Sequence, residues 1–302
     1  MLGVLPWHRP IAQSLVERKA SGRLAHAILI DAQSNEEALL LARSLPGYLL
    51  CDELSNCGNC RFCGFLAQGA HPDMRLLTPE GTSKEIKIEQ VRQLLAFGEQ
   101  TATYPAGKVA VLAPANGLNR NSANSLLKFL EEPPENTFII LVCGGRATLP
   151  ATVMSRCQLL KVERPSEAQS IDYLCSLGMS DDIARTALDL SGNRPILAAQ
   201  IEHDGGLDKF RRFIAAADLA FEGGGSLRSL AIAAEGLSSL IVLDCLDSRL
   251  HQLVRQRVNA GAETAPLLKW QQHLSVLRKS LLKSPNISIP LALEQVYVSI
   301  HS

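Results

Sequence analysis

The run Lys108-Val-Ala-Val-Leu112, followed by Asn116-Gly-Leu-Asn-Arg-Asn-Ser122 and then Ala123-Asn-Ser-Leu-Leu-Lys-Phe-Leu-Glu-Glu-Pro-Pro134, decides the fold. Val109 to Leu112 is short and continuously apolar, the pattern of a strand buried on both faces. Ala123, Leu126, Leu127 and Leu130 recur at i, i+3, i+4 and i+7, which places them on one face of a helix. Pro133 and Pro134 stop that helix, since neither nitrogen can donate and each restricts the residue before it. A second buried run, Phe138-Ile-Ile-Leu-Val-Cys143, reads as the next strand. Beyond Ser155-Arg156-Cys157 comes a third, Gln158-Leu-Leu-Lys-Val162. Strand, helix, strand, short helix, strand is an α/β unit with a parallel sheet. Ligand crevices in such sheets lie at the carboxyl ends of strands. Arg156 precedes a strand, so it is expected to point away from the chain's own crevice, towards a neighbour.

Towards the N-terminus, Trp7 to Leu24 reads as a helix with Ile11, Leu15 and Val16 on one face, and His26-Ala-Ile-Leu-Ile30 as a short buried strand. A phosphate-binding loop after that strand needs glycines, so that backbone N–H groups can wrap the phosphates, and a lysine to reach the terminal ones. The sequence is instead Asp31-Ala-Gln-Ser-Asn-Glu-Glu-Ala38, with neither. Glu36 and Glu37 put carboxylates at the start of a helix running to Leu45; they suit the helix dipole and repel a triphosphate. The strand ending at Leu112 runs into Ala113-Pro114-Ala115-Asn116, with no acid to hold Mg²⁺. Both halves of a hydrolytic site are missing, and no nucleotide turnover by this chain alone is expected.

Between these strands lie Cys51, Cys57, Cys60 and Cys63, spaced C-x5-C-x2-C-x2-C. Four thiolates this close match a closed tetrahedral zinc site of structural type. Four unmetallated thiols and an iron–sulfur cluster are the alternatives. His71, in Gly69-Ala-His-Pro-Asp73, reads as a turn residue before the strand Met74-Arg-Leu-Leu77 in preference to a further ligand, and Asp73 as structural. Lys87 to Gln100 forms an amphipathic helix, and Asn119, Arg120 and Asn121 are polar residues leading into the central one.

Arg164-Pro165-Ser166 marks a boundary, after which Ser166 and Gln169 form a capping box. Short helices run to Leu190, followed by Ser191-Gly-Asn-Arg-Pro195. Asp208 to Phe221 is a helix, Gly223-Gly-Gly225 a break, and the remainder is helical: Leu237 to Leu246, Leu267 to Leu282 and Ile289 to Ile300. The domains expected are residues 1–164, with the metal module at about 51–63, then a small helical domain at 165–206 and an all-α domain at 207–302.

The 302 residues suffice for two or three domains, and 46% of them are hydrophobic. Thirty Lys and Arg balance thirty Asp and Glu, and only 5% are aromatic, which disfavours strong DNA binding or base stacking by the chain alone. No signal peptide or membrane span is expected, which predicts a cytoplasmic protein whose eight cysteines stay reduced.

Leu126-Leu-Lys-Phe-Leu-Glu-Glu-Pro-Pro134 followed by Ser155-Arg-Cys157 resembles the clamp-loader branch of the AAA+ ATPases. The phrase is specific as a whole, and the resemblance covers the chain well up to about Val162. It implies an AAA+ type parallel-sheet domain with an inserted zinc module, a helical lid, and a C-terminal bundle that packs into a collar. It also implies a degenerate nucleotide motif with no productive ATP binding. In that family the arginine of a Ser-Arg-Cys motif completes the ATP site of the adjacent subunit, so Arg156, flanked by Ser155 and Cys157, would serve in trans as an arginine finger. Cys157 itself reads as a packing residue, since no His lies near it in sequence. Arg194 lies near the lid position where active members sense phosphate, but its Asn and Pro neighbours depart from the pattern, so it reads as structural. Arg120 would lie on the DNA-facing side. The partners implied are the motor (gamma/tau) and delta subunits of a hetero-oligomer, with the sliding clamp and primed DNA reached through the complex. The chain would have no independent activity while belonging to a DNA-directed DNA polymerase holoenzyme, a nucleotidyltransferase. The competing readings are an active AAA+ ATPase and a zinc-containing nucleic-acid-binding protein.

Overall fold

The computed structural model describes residues 5–81, 85–144, 149–224, 227–283 and 288–301. The chain divides into two compact units, Met1–Pro165 and Ser166–Ser302.

The first unit is built on five parallel strands: β1 (Ala27–Ala32), β2 (Met74–Leu77), β3 (Lys108–Leu112), β4 (Thr137–Gly144) and β5 (Gln158–Lys161), in the order β2-β3-β4-β1-β5. Every residue of β3 is buried, as its unbroken apolar run requires. The helices of this unit are α1 (Arg9–Ala20), α2 (Asn35–Leu50), α3 (Arg61–Ala67), α4 (Ile88–Glu99), α5 (Arg120–Glu131) and α6 (Ala151–Met154). Ala27, Leu29, Ala110, Leu112, Ile139 and Leu141 share one core with Val91 and Leu94 of α4 and Leu126 and Leu130 of α5. The alternate strand residues, Ile28, Ile30, Val109, Val111, Ile140 and Val142, are equally buried and turn to the opposite face. There α2 packs against β1, β3 and β4. The Asn119 side chain caps α5 by accepting from Ser122 N at 2.9 Å, and Arg120 at its start is exposed.

The second unit is all helical: α7 (Glu167–Ser176), α8 (Asp181–Leu190), α9 (Pro195–Gly205), α10 (Leu207–Phe221), α11 (Leu227–Ala233), α12 (Ser239–Asn259), α13 (Ala265–Lys283) and α14 (Ile289–His301). The Ser166–Gln169 capping box is present. Gly225 of the expected glycine break lies outside the described residues. The unit holds two cores. Ile171, Leu174, Ala184, Ala187, Leu188 and Ala198 form a small one. Leu197 and Ile201 of α9 join the larger one around Phe210, Phe213 and Trp270. One helix thus faces both cores on either side of the expected division at 206/207. Among the described residues no helix is long and apolar enough to cross a membrane.

Candidate functional site

Three features of the first unit carry chemistry, and the first is the turn from β1 into α2. Ser34 caps α2 by accepting from Glu37 N at 3.1 Å. In sequence Glu36 and Glu37 look alike; in the structure Glu36 is exposed and Glu37 is only 3% exposed. The Glu37 carboxylate turns back over the helix start. Oε2 accepts from Gln33 N at 2.6 Å, and Oε1 accepts from the Trp7 indole at 2.7 Å and lies 3.0 Å from His8 Nε2. Burial opposes its ionisation, but the His8 ring, the Gln33 N–H and the Trp7 N–H together hold its carboxyl below the usual range. A helix N-terminus behind a sheet strand is where a phosphate would otherwise sit. Here an internal carboxylate fills that place. The turn is also pressed against the end of β4: a Cβ on Gly144 would fall 2.2 Å from Ser34 C and from Asn35 N. The helix start thus carries a buried carboxylate of its own in close contact with the end of β4.

Glu37→Ala is expected to destabilise the chain by about 3 kcal/mol, because it strands the buried Trp7 N–H and the part-buried Gln33 N–H; denaturant unfolding measures it. Since the folded carboxyl titrates below its ordinary value of 4.5, its contribution is fully present above that pH and is lost as pH falls through the folded value. The wild-type and Glu37→Ala stabilities should therefore converge on acidification.

The second feature is the cysteine loop. The sulfurs of Cys51, Cys57, Cys60 and Cys63 all lie within 4.8 Å of one another, and the group can hold a metal ion. Cys51 Sγ is 3.5 Å from Cys57 Sγ and 3.8 Å from Cys60 Sγ. Four sulfurs about 2.3 Å from a tetrahedral ion stand roughly 3.8 Å apart, so the cluster fits zinc. Cys60 N donates to Cys57 Sγ and Cys63 N to Cys60 Sγ, both at 3.4 Å, bonds that favour thiolates. Burial raises the Cys51 thiol, but N–H donors from Cys57, Ser55 and Glu53 outweigh it and bring it down to about 6. Leu54 and Asn56 adopt positive φ to close the loop. The module leans on the segments that precede β2 and β3 through Phe62, whose ring lies 4.8 Å from Tyr104 and 5.7 Å from His71. His71 stands apart from the four-sulfur group and belongs to a turn: its Nδ1 accepts from Asp73 N at 3.1 Å. Asp73, fully buried, accepts from Thr103 N and Tyr104 N at 2.8 Å each and fixes the loop before β3.

The third feature is Arg156, between α6 and β5. Its Nε donates to Glu131 Oε1 at 2.7 Å, its Nη2 to the same oxygen, and its Nη1 to Thr152 O at 2.8 Å. The Arg156 side chain is 33% exposed and that of Glu131 50% exposed. The guanidinium therefore sits on the surface, beside the first glutamate of Leu126–Pro134 and at the amino end of the sheet, opposite the Glu37 turn. Ser155 Oγ donates to Thr152 O at 3.2 Å. Cys157 packs against the core of α4 and α5, and burial pushes its thiol up to about 11, as suits a packing residue. Arg194, in the second unit, donates to Asp244 O at 2.6 Å and Ser191 O at 3.4 Å and braces a turn. The positions that sequence reasoning missed are Trp7, His8 and Glu131. Only the last had a signal, its place in the motif.

The fold is a parallel five-stranded α/β domain with a buried carboxylate at the start of α2 and a four-cysteine module inserted before β2. The family model described as "DNA polymerase III, delta subunit" matches residues 7–166, and the chain belongs to that family. It is 35% identical over 211 residues to DNA polymerase III subunit delta' of Pseudomonas aeruginosa, covering 68% of this chain and 63% of that one. To the subunit of the same name from Escherichia coli K12 it is 36% identical over 196 residues, covering 63% and 58%. The match thus spans less than two thirds of these relatives' length. A solved structure of a DNA polymerase III gamma subunit-related protein from Thermotoga maritima is similar at 17% identity and a TM-score of 0.46, covering 96% of this chain and 98% of that one.

Proposed function

We propose that this chain is a non-hydrolysing delta'-type subunit of a bacterial clamp loader, working in the cytoplasm as a scaffold and lending Arg156 to the ATP site of a neighbouring motor subunit. The observation that supports the proposal is the surface guanidinium of Arg156, held at the end of the sheet opposite the Glu37 turn. A planar, permanently charged fork matches the charge spread over γ-phosphate oxygens during transfer. Its pairing with Glu131 does not oppose this role. A half-exposed ion pair contributes roughly 0–1 kcal/mol, whereas a finger acting on a transferring phosphoryl group contributes about 4–7 kcal/mol. The phosphate outcompetes the glutamate, which acts as a resting place that pre-orients the side chain. The four cysteines hold a structural Zn²⁺ that closes the inserted loop, with no open position for catalysis. Among the partners are gamma/tau and delta subunits, with the sliding clamp and primed DNA reached through them.

The test is co-purification with motor subunits, followed by ATPase assay. The isolated chain should show no turnover, and the mixture should gain DNA-stimulated hydrolysis only when this chain is present. Turnover by the chain alone, or a rate indifferent to its presence, would sink the proposal. Glu131→Gln should leave the maximal rate within about twofold of wild type, since the lost pair is weak; a collapse comparable to loss of Arg156 would show that Glu131 does more than park the side chain.

A further inference from the structure

The cysteine loop starts at Cys51, the residue that ends α2, and comes back along the same helix. Gly47 lies one turn before Cys51, inside α2 and buried. Glycine is a poor residue for a helix interior, since it gives up more backbone freedom than alanine and packs no side chain. Asn56 supplies the reason for it. A Cβ on Gly47 would lie 2.5 Å from Asn56 Cγ and 3.2 Å from Asn56 Cβ, with Asn56 Oδ1 nearer still. The loop thus rests its Asn56 side chain in the space that the glycine leaves open.

Two further features tie this contact to the metal centre. Asn56 has a φ of 56°, in the left-handed region that asparagine enters more readily than most residues. It also immediately precedes Cys57, whose Sγ stands 3.5 Å from Cys51 Sγ. The contact therefore joins the carriers of two ligands, the helix that ends in Cys51 and the loop that presents Cys57. Turning the Asn56 side chain about its Cα–Cβ bond would take the amide away from an added methyl group but would leave Asn56 Cβ in place. Alanine at position 47 therefore pushes on the loop backbone itself, by a few tenths of an ångström. Metal–ligand distances tolerate about 0.2 Å, so a displacement of that size beside Cys57 falls on the coordination sphere.

We propose that Gly47 and Asn56 are positioning residues for the four-cysteine metal centre. They seat the loop on α2 so that Cys57 comes within bonding reach of an ion that Cys51, Cys60 and Cys63 also hold. Neither residue is itself a ligand. The inference rests on the reading of the four cysteines as a zinc site and deepens it; it does not depend on the arginine-finger reading.

The experiment uses the full chain, stripped of metal under reducing conditions. It is titrated with Co²⁺, whose visible spectrum reports tetrahedral thiolate coordination, and then with Zn²⁺ in displacement. Wild type, Gly47→Ala, Asn56→Gly and the double variant are compared. Gly47→Ala should weaken both ions about tenfold. Asn56→Gly removes the colliding side chain and adopts positive φ freely. Added to Gly47→Ala, it should bring affinity back to within about threefold of wild type. Alone, it should weaken binding by no more than about threefold, because the freer loop loses more entropy on closing. The same substitution thus restores binding in one background and fails to improve it in the other, a reversal that a purely structural glycine would not produce. The metal-free Gly47→Ala chain should be no less stable to denaturant than the metal-free wild type, since alanine favours the helix. Equal metal affinity in wild type and Gly47→Ala overturns the proposal. So does a loss that Asn56→Gly fails to restore, which would mean that the glycine makes room for some other neighbour. If the wild-type chain takes up neither ion, the zinc reading itself falls and this inference falls with it.

Discussion

Arg156→Ala in the reconstituted loader is expected to cut ATP hydrolysis at the one motor site facing this chain by about 10³–10⁵-fold, with little change in assembly. The magnitude follows from where the charge acts. In the free chain the guanidinium rests half-exposed against Glu131 and Thr152, where water screens it. Across a subunit boundary it would sit in a drier place, against charge that grows as the γ-phosphoryl group leaves. Arg156→Lys keeps the charge but loses the fork, so it should recover only part of the rate, remaining roughly tenfold or more below wild type. Because other motor sites continue to turn over, single-turnover assay of labelled complexes is the proper readout. The free Arg156→Ala chain should unfold within about 1 kcal/mol of wild type, since only a surface pair is lost. A variant that assembles and hydrolyses at every site as wild type does would remove the finger from the account.

Stripping the metal should have the other large effect. Zinc bound by four thiolates contributes an apparent 10–16 kcal/mol in small zinc modules at neutral pH. That is as much as or more than the roughly 5–15 kcal/mol that holds an ordinary domain folded. Residues 51–63 contain no strand and only the first turn of α3, so little else closes the loop. Cys60→Ala, or exhaustive chelation, should release the loop and melt α3, whose N-cap is Cys60. Phe62 would then leave its seat on Tyr104, while the sheet, with its own continuous core, persists. Elemental analysis should give one zinc per chain, and hydrogen exchange should show protection lost at 51–67 but kept in β3 and β4. A metal-free chain with unchanged exchange in that loop would mean that the four thiols are a bystander cluster.

The parallel sheet was legible because β3, β4 and the face of α5 are written in local periodicity, and buried parallel strands leave long apolar runs. The cysteine group was legible for a similar reason: its ligands are within thirteen residues and the chemistry of four thiolates admits few readings. Glu37 was not. A carboxylate in the first turn of a helix looks the same whether it faces water or folds back, and its partners Trp7 and His8 are 30 and 29 residues away. The Glu131 pairing with Arg156 spans 25 residues, and no local pattern announces which of two adjacent glutamates meets the arginine. That the turn after β1 has no glycine and no lysine is plain in the sequence; that the Glu37 carboxylate folds back over it is not.

The two tryptophans fall one to each unit: Trp7 donates to the buried Glu37 carboxylate, and Trp270 lies in the larger helical core against Phe221, their rings 5.0 Å apart. The chain thus carries two native optical reporters with different surroundings, one beside an ionisable pair and one between the rings of Phe221 and Tyr297. Single Trp→Phe versions would let the melting of each half be followed separately by its own fluorescence, with acid quenching or shifting only the first.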